Sequence, residues 1–118
     1  MHSVTRIRRS IATPHLEVMG NSRLSGILKV NGAKNSALVL MAAALLTQEK
    51  ISIRNVPKLT DVEVMAKILV ALGAKLNTKS DEIEINSKEL RHTQLPEELV
   101  HSLRASFFCI GPLLARLG

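Results

Sequence analysis

The chain has 118 residues, a formal charge of +6 at pH 7 from 16 Lys and Arg against 10 Asp and Glu, one Cys, two Phe, and neither Trp nor Tyr. That length buries one modest core, and 46% hydrophobic with 22% charged residues excludes disordered and collagen-like chains. A single cysteine excludes an internal disulfide and suits a reducing, cytoplasmic setting; the longest apolar run, Ala37 to Leu46, falls well short of the roughly 20 residues a membrane-spanning helix needs.

Residues 1–14 are basic, with Arg6, Arg8 and Arg9 preceding the first acid, Glu17. They read as a disordered leader, with a transit peptide or a nucleic-acid arm as the other readings. No apolar stretch follows the arginines, which argues against a secretory signal. Patterning predicts strands over 16–19 and 26–30, separated by the turn residues Gly20-Asn21-Ser22-Arg23 and closed by Asn31-Gly32. A helix follows over 35–47, rich in Ala, Leu and Met and apolar nearly all round, which predicts burial on most sides.

Ile51, Ile53 and Val56 mark a short strand ended by Pro57. Thr60 and Glu63 have the spacing of a capping box, and Asp61 suits the first turn of the helix they open. Val62, Met65, Ile68, Leu69 and Leu72 give that helix one apolar face, and Gly73 is its natural stop. Two strands are predicted over 75–79 and 83–86. Pro96-Glu97-Glu98 opens a last helix, whose apolar positions Leu99, Leu103, Phe107, Ile110 and Leu114 recur at helical spacing. Pro112 predicts a break after Ile110. Strands and helices alternate twice, an α/β pattern of repeated β-α-β units. The sequence stops at Gly118 on Leu-Ala-Arg-Leu-Gly, as if interrupted ahead of a further element.

Walker A, GxGxxG and HExxH patterns are all missing, and the histidines at 2, 15, 92 and 101 have no metal-ligand spacing with one another or with Cys109. Cys109, beside Phe107, Phe108 and Ile110, reads as a buried, inert thiol. Basic residues are not interleaved with aromatics, so no stacking platform for single-stranded nucleic acid is expected. Two anion-binding candidates remain. Asn31-Gly32-Ala33-Lys34-Asn35-Ser36 places a lysine beside the free N–H groups of a helix start, where phosphate or carboxylate would bind. On the pattern alone, the slightly favoured reading is that Asn35 or Ser36 simply caps the helix, with Lys34 in solvent. Arg104 borders the buried face of its helix, either snorkelling to water or reaching an anion with its planar fork.

Four motifs in order carry a resemblance: Gly32-Ala33-Lys34-Asn35-Ser36-Ala37, Asn55 through Val62, Leu72-Gly73-Ala74, and Arg104-Ala105-Ser106 followed by Gly111 through Arg116. Over 16–118 the chain resembles the N-terminal part of the enolpyruvyl transferases. Ala-Lys-Asn at 33–35, where the shikimate-pathway branch typically has Asp-Lys-Ser, favours the cell-wall branch. The resemblance implies transfer of the enolpyruvyl group from phosphoenolpyruvate to the 3′-hydroxyl of UDP-N-acetylglucosamine, the first committed step of peptidoglycan synthesis. It proceeds through a tetrahedral intermediate, and no metal or organic cofactor is implied.

It also implies two α/β domains, each built from three β-α-β-α-β-β units, of which this chain would be about the first quarter. Residues 15–33 would join the domain completed by C-terminal chain, and 34–118 would begin the other. By motif position, Lys34 and Asn35 match the pair at the phosphoenolpyruvate and sugar-nucleotide site, and Arg104 matches the arginine that contacts the UDP-sugar. The family's catalytic cysteine sits in a Pro-Gly-Gly-Cys loop that falls beyond Gly118, and Cys109 does not take its place. The general-base aspartate of the second domain is missing too. No catalytic residue is therefore assigned, and the chain alone is expected to be inactive and prone to aggregate. The partners expected are the two small-molecule substrates, with no nucleic acid and no membrane; the oligomeric state stays open. The rival readings are a non-catalytic basic binding protein and a remnant that still holds UDP-sugar.

Overall fold

The computed structural model describes residues 16–91, 94–102 and 104–118; the leader expected over 1–14 lies outside them. Helix α1, Lys34–Ala43, continues into a 3₁₀ turn, Ala44–Leu46, and is followed by strand β1, Lys50–Ile53. Helix α2, Thr60–Ala71, leads to the hairpin of β2, Lys75–Lys79, and β3, Glu82–Asn86. Helix α3, Glu97–Ser102, a 3₁₀ segment, Arg104–Cys109, and helix α4, Ile110–Leu117, complete the order.

The sheet order is β1-β3-β2, with β3 antiparallel to both neighbours. β1 and β2 therefore run the same way, α2 crosses between them, and β3 is inserted into the gap. Strand alternation sorts the two faces. Ile85 pairs with Ile51 on one side and Leu76 on the other, a row that packs against the helices. On the opposite face Glu84 takes hydrogen bonds from Asn77 Nδ2 at 3.0 Å and Lys50 Nζ at 3.1 Å, which hold its carboxyl below its usual range.

The core lies between this sheet and α1 and α2. Met41, Leu45, Met65, Ile68, Leu69 and Ile85 are fully buried there. All five residues predicted for the apolar face of α2 are in it. Beyond the α1 turn, Ser87 Oγ donates toward the carbonyls of Ala44 and Thr47. From α4, Arg116 Nη1 donates to the carbonyls of Leu45 (2.8 Å) and Thr47 (3.0 Å), so helix-end acceptors without a helical partner are satisfied from two distant segments.

Several expectations are corrected. The strands expected over 16–19 and 26–30 do not form: this stretch is irregular and exposed, with Ile27 and Leu28 in solvent, and among the described residues no strand pairs with it to complete a ladder. The described residues therefore contain one β-α-β crossing, not two. α1 buries Ala37, Leu38, Met41 and Ala42 but leaves Val39 and Leu40 about half exposed, because α2 and the sheet lie along one side only. Neither Asn35 nor Ser36 caps α1; Ala33 is the N-cap, without a side-chain bond. The Thr60–Glu63 capping box is not made, because α2 starts one residue early with Leu59 as N-cap and Thr60 already helical. Pro112 does not end a helix. It lies in the first turn of α4, where a missing N–H leaves no helical bond unmade, and the break in the run falls earlier, at the 3₁₀ segment.

Gly73 does end α2, at φ +99°, and an added Cβ would meet the Glu89 carbonyl oxygen at 2.5 Å. Gly73→Ala combines a disfavoured backbone conformation with a backbone clash. It is expected to cost about 1–3 kcal/mol, seen as a lower urea midpoint at unchanged slope.

Candidate functional site

The segment over 31–36 is built on a close approach between backbones. At Gly32 an added Cβ would lie 2.0 Å from the Asn55 carbonyl oxygen, a space open only to glycine. Asn55 adopts φ +57°, a left-handed conformation that asparagine tolerates, and its amide points back to the Val30 carbonyl at 3.5 Å. The turn before α1 is thereby pressed onto the loop that leads from β1 into α2.

α1 starts two residues later with Lys34. Its first turn holds no acidic residue, so the helix offers the ammonium only its positive end. The compensating charge comes from α2, where Asp61 Oδ2 accepts from Lys34 Nζ at 2.7 Å. Lys34 is therefore not a free lysine in solvent, as the capping reading required, but is tied across two helix starts. Both side chains keep access to water, at 47% and 37% exposure, so an incoming anion can reach the ammonium. Asn35 is exposed next to it, while Ser36 and Leu40 line a small hollow of about 130 Å³ with Gly32, Arg54 and Asn55. A larger hollow of about 240 Å³, between the start of α2 and the β2–β3 turn, is lined mostly by apolar groups and holds neither Lys34 nor Asn35.

Arg104 opens the 3₁₀ segment that packs against α1, but its side chain lies outside the described residues. Sequence reasoning missed the role of Asp61 toward Lys34. The available signal was a lysine at the unfavourable end of a helix with no acid on its own first turn.

Cys109 is buried, with Sγ 4.0 Å from Met65 Sδ, and burial pushes its thiol up to about 11. Among the described residues no group of His, Cys, Asp and Glu could hold a metal. His101 pairs with Glu97 at 3.4 Å along the surface of α3, and His2, His15 and His92 lie outside the described residues. No described helix is long and apolar enough to cross a membrane.

Residues 18–118 match the family described as EPSP synthase (3-phosphoshikimate 1-carboxyvinyltransferase), and the chain belongs to that family of enolpyruvyl transferases. Within it, the chain is 66% identical over all 118 residues to the UDP-N-acetylglucosamine 1-carboxyvinyltransferase of Prochlorococcus marinus strain NATL2A, of which it covers 26%. It is 49% identical to the protein of the same name from strain MIT 9313, covering 27% of it. The chain thus spans about a quarter of the length of the curated relatives it matches. Its fold superposes on the crystal structure of the enolpyruvyl transferase NikO from Streptomyces tendae with a TM-score of 0.70 and 27% identity, over 84% of this chain and 23% of that one. The α/β class read from the sequence is the fold observed.

Burial of Cys109 has a chemical consequence. The folded state holds the thiol proton more tightly than the unfolded chain, whose ordinary value is 9.0, so the stabilisation is complete below that pH and is lost as pH rises toward about 11. At pH 8 only about one thiol in a thousand is ionised in the folded chain. Alkylation by iodoacetamide at pH 8 is expected to be slow in buffer and at least about 100-fold faster in denaturing urea; equal rates would contradict a buried thiol.

Proposed function

We propose that this chain supplies the Lys34 region of a UDP-N-acetylglucosamine 1-carboxyvinyltransferase. The enzyme would move the enolpyruvyl group of phosphoenolpyruvate to the 3′-hydroxyl of UDP-N-acetylglucosamine, in the cytoplasm and for peptidoglycan synthesis. The observation that carries the reading is Lys34 at the start of α1, tied to Asp61 and open to solvent, in a chain 66% identical to a relative of that name.

In this reading the Lys34 ammonium and the first-turn N–H groups of α1 receive the anionic end of phosphoenolpyruvate, and the exposed amide of Asn35 serves the sugar nucleotide. As the C–O bond to phosphate breaks, charge builds on the departing oxygens. A cation already in place stabilises that charge without reorganising at the moment of reaction. Arg104 is assigned to the UDP-sugar on motif position. Residues 15–33 are assigned to one domain and 34–118 to the other, which suits the exposed, irregular stretch over 16–30: its ladder partners would belong to that first domain.

The sequence contains no Pro-Gly-Gly-Cys loop, and its one cysteine is buried and protonated at neutral pH. The 118-residue chain is accordingly expected to release no phosphate from phosphoenolpyruvate and UDP-N-acetylglucosamine above a protein-free blank. Grafted in place of the matching quarter of the Prochlorococcus relative, it is expected to give an active transferase. In that chimera Lys34→Ala is expected to lower kcat/KM by about 100-fold or more. A folded but inactive chimera, or a Lys34→Ala variant with parental kinetics, would overturn the assignment.

A further inference from the structure

We infer that Asp61 is a positioning residue: it sets the place of the Lys34 ammonium through which the anionic substrate is handled. This rests on the function proposed above and adds to it a residue outside the Lys34, Asn35 and Arg104 set. Three observations support it.

Lys34 occupies the first position of α1, where the helix dipole opposes a cation and no acid of the same turn offsets it. Stability of that helix alone would favour another residue, so the lysine is held for what its charge does elsewhere. Asp61, by contrast, lies where α2 welcomes an anion, within the first turn. A carboxylate fixed at one helix start is thus placed to hold an ammonium fixed at the other.

The pair is close, at 2.7 Å, yet both side chains are more than a third exposed. Ion pairs so open to water contribute little to folding. What the contact supplies is direction: it selects one arrangement of a side chain with four rotatable bonds. Both ends are anchored, because the press of Gly32 on Asn55 sets the start of α1 against the loop that enters α2.

The contact also leaves the lysine available. An ammonium has three N–H donors, Asp61 takes one, and the remaining two can meet phosphate or carboxylate oxygens. Removing the Asp61 charge lessens the repulsion felt by an arriving anion while releasing the ammonium from its position. Ground-state binding should hold or tighten, and turnover should fall.

The test uses the active chimera with Asp61→Asn, Asp61→Glu, Lys34→Ala and the Lys34→Ala/Asp61→Asn double variant. Asp61→Asn is expected to lower kcat about 10- to 100-fold with KM for phosphoenolpyruvate unchanged or reduced, and Asp61→Glu to recover most of the loss. On the Lys34→Ala background, Asp61→Asn is expected to add no further loss, since it acts through the lysine. Asp61→Ser, which keeps a first-turn oxygen, replaces Asp61→Asn with the same expectations if the latter does not fold. Parental kcat in Asp61→Asn beside a crippled Lys34→Ala overturns the inference and leaves the functional reading intact. So does an equal loss on both backgrounds, which marks a structural role. Parental kinetics in Lys34→Ala would fell the functional reading itself.

Discussion

The approach of Gly32 to the carbonyl of Asn55 is the constraint on which the site depends. Any side chain at 32 would collide with backbone, which moves only if the loop after β1 moves with it. That loop is itself held by Asn55 in a left-handed conformation and by a 2.8 Å hydrogen bond from the Val56 N–H to the Asp81 carbonyl in the β2–β3 turn. The start of α1, the entry to α2 and the tip of the hairpin are therefore one mechanical unit. Lys34 and Asp61 meet because the two backbones beneath them have a single way to fit together.

The sheet and its two helices form a well-packed half-layer, while other apolar surface stays wet. Phe107 is 71% exposed and Leu114 64% exposed, as are Val39, Leu40 and most apolar residues over 16–30. Buried area of the order of a few Leu or Phe side chains is worth several kcal/mol. Leaving that much uncovered sets the character of the isolated chain: a firm centre with adhesive margins.

The centre was legible in the sequence because its signals are local. The face of α2 repeats every three or four residues, and Ile83 and Ile85 alternate across the strand. Gly73 needs only its own backbone to stop a helix. What could not be read depended on partners distant in the chain. The run over 26–30 has good strand chemistry, but a strand exists only beside another. Pro112 has the residue type of a helix breaker, but position within a helix, not residue type, decides whether a missing N–H matters. The expected cap lies one position late at α2 and two or three positions late at α1. At the site, the glycine turn before it marks Lys34, whereas Asp61 reads in the sequence only as a favourable first-turn charge. Their contact joins two helices, and no periodicity within either reveals it.

Arg116 imposes an order of events during synthesis. Its guanidinium closes off carbonyls at the end of the α1 turn, which belong to residues 71 and 69 positions earlier in the chain. When α1, α2 and the hairpin have already left the ribosome, those acceptors still have only water and Ser87 for partners. The first helix can form early, but its far end is sealed only when α4 arrives. A nascent chain consequently holds a partly open seam until α4 has been made, and any factor that binds such seams finds this one before that helix shuts it.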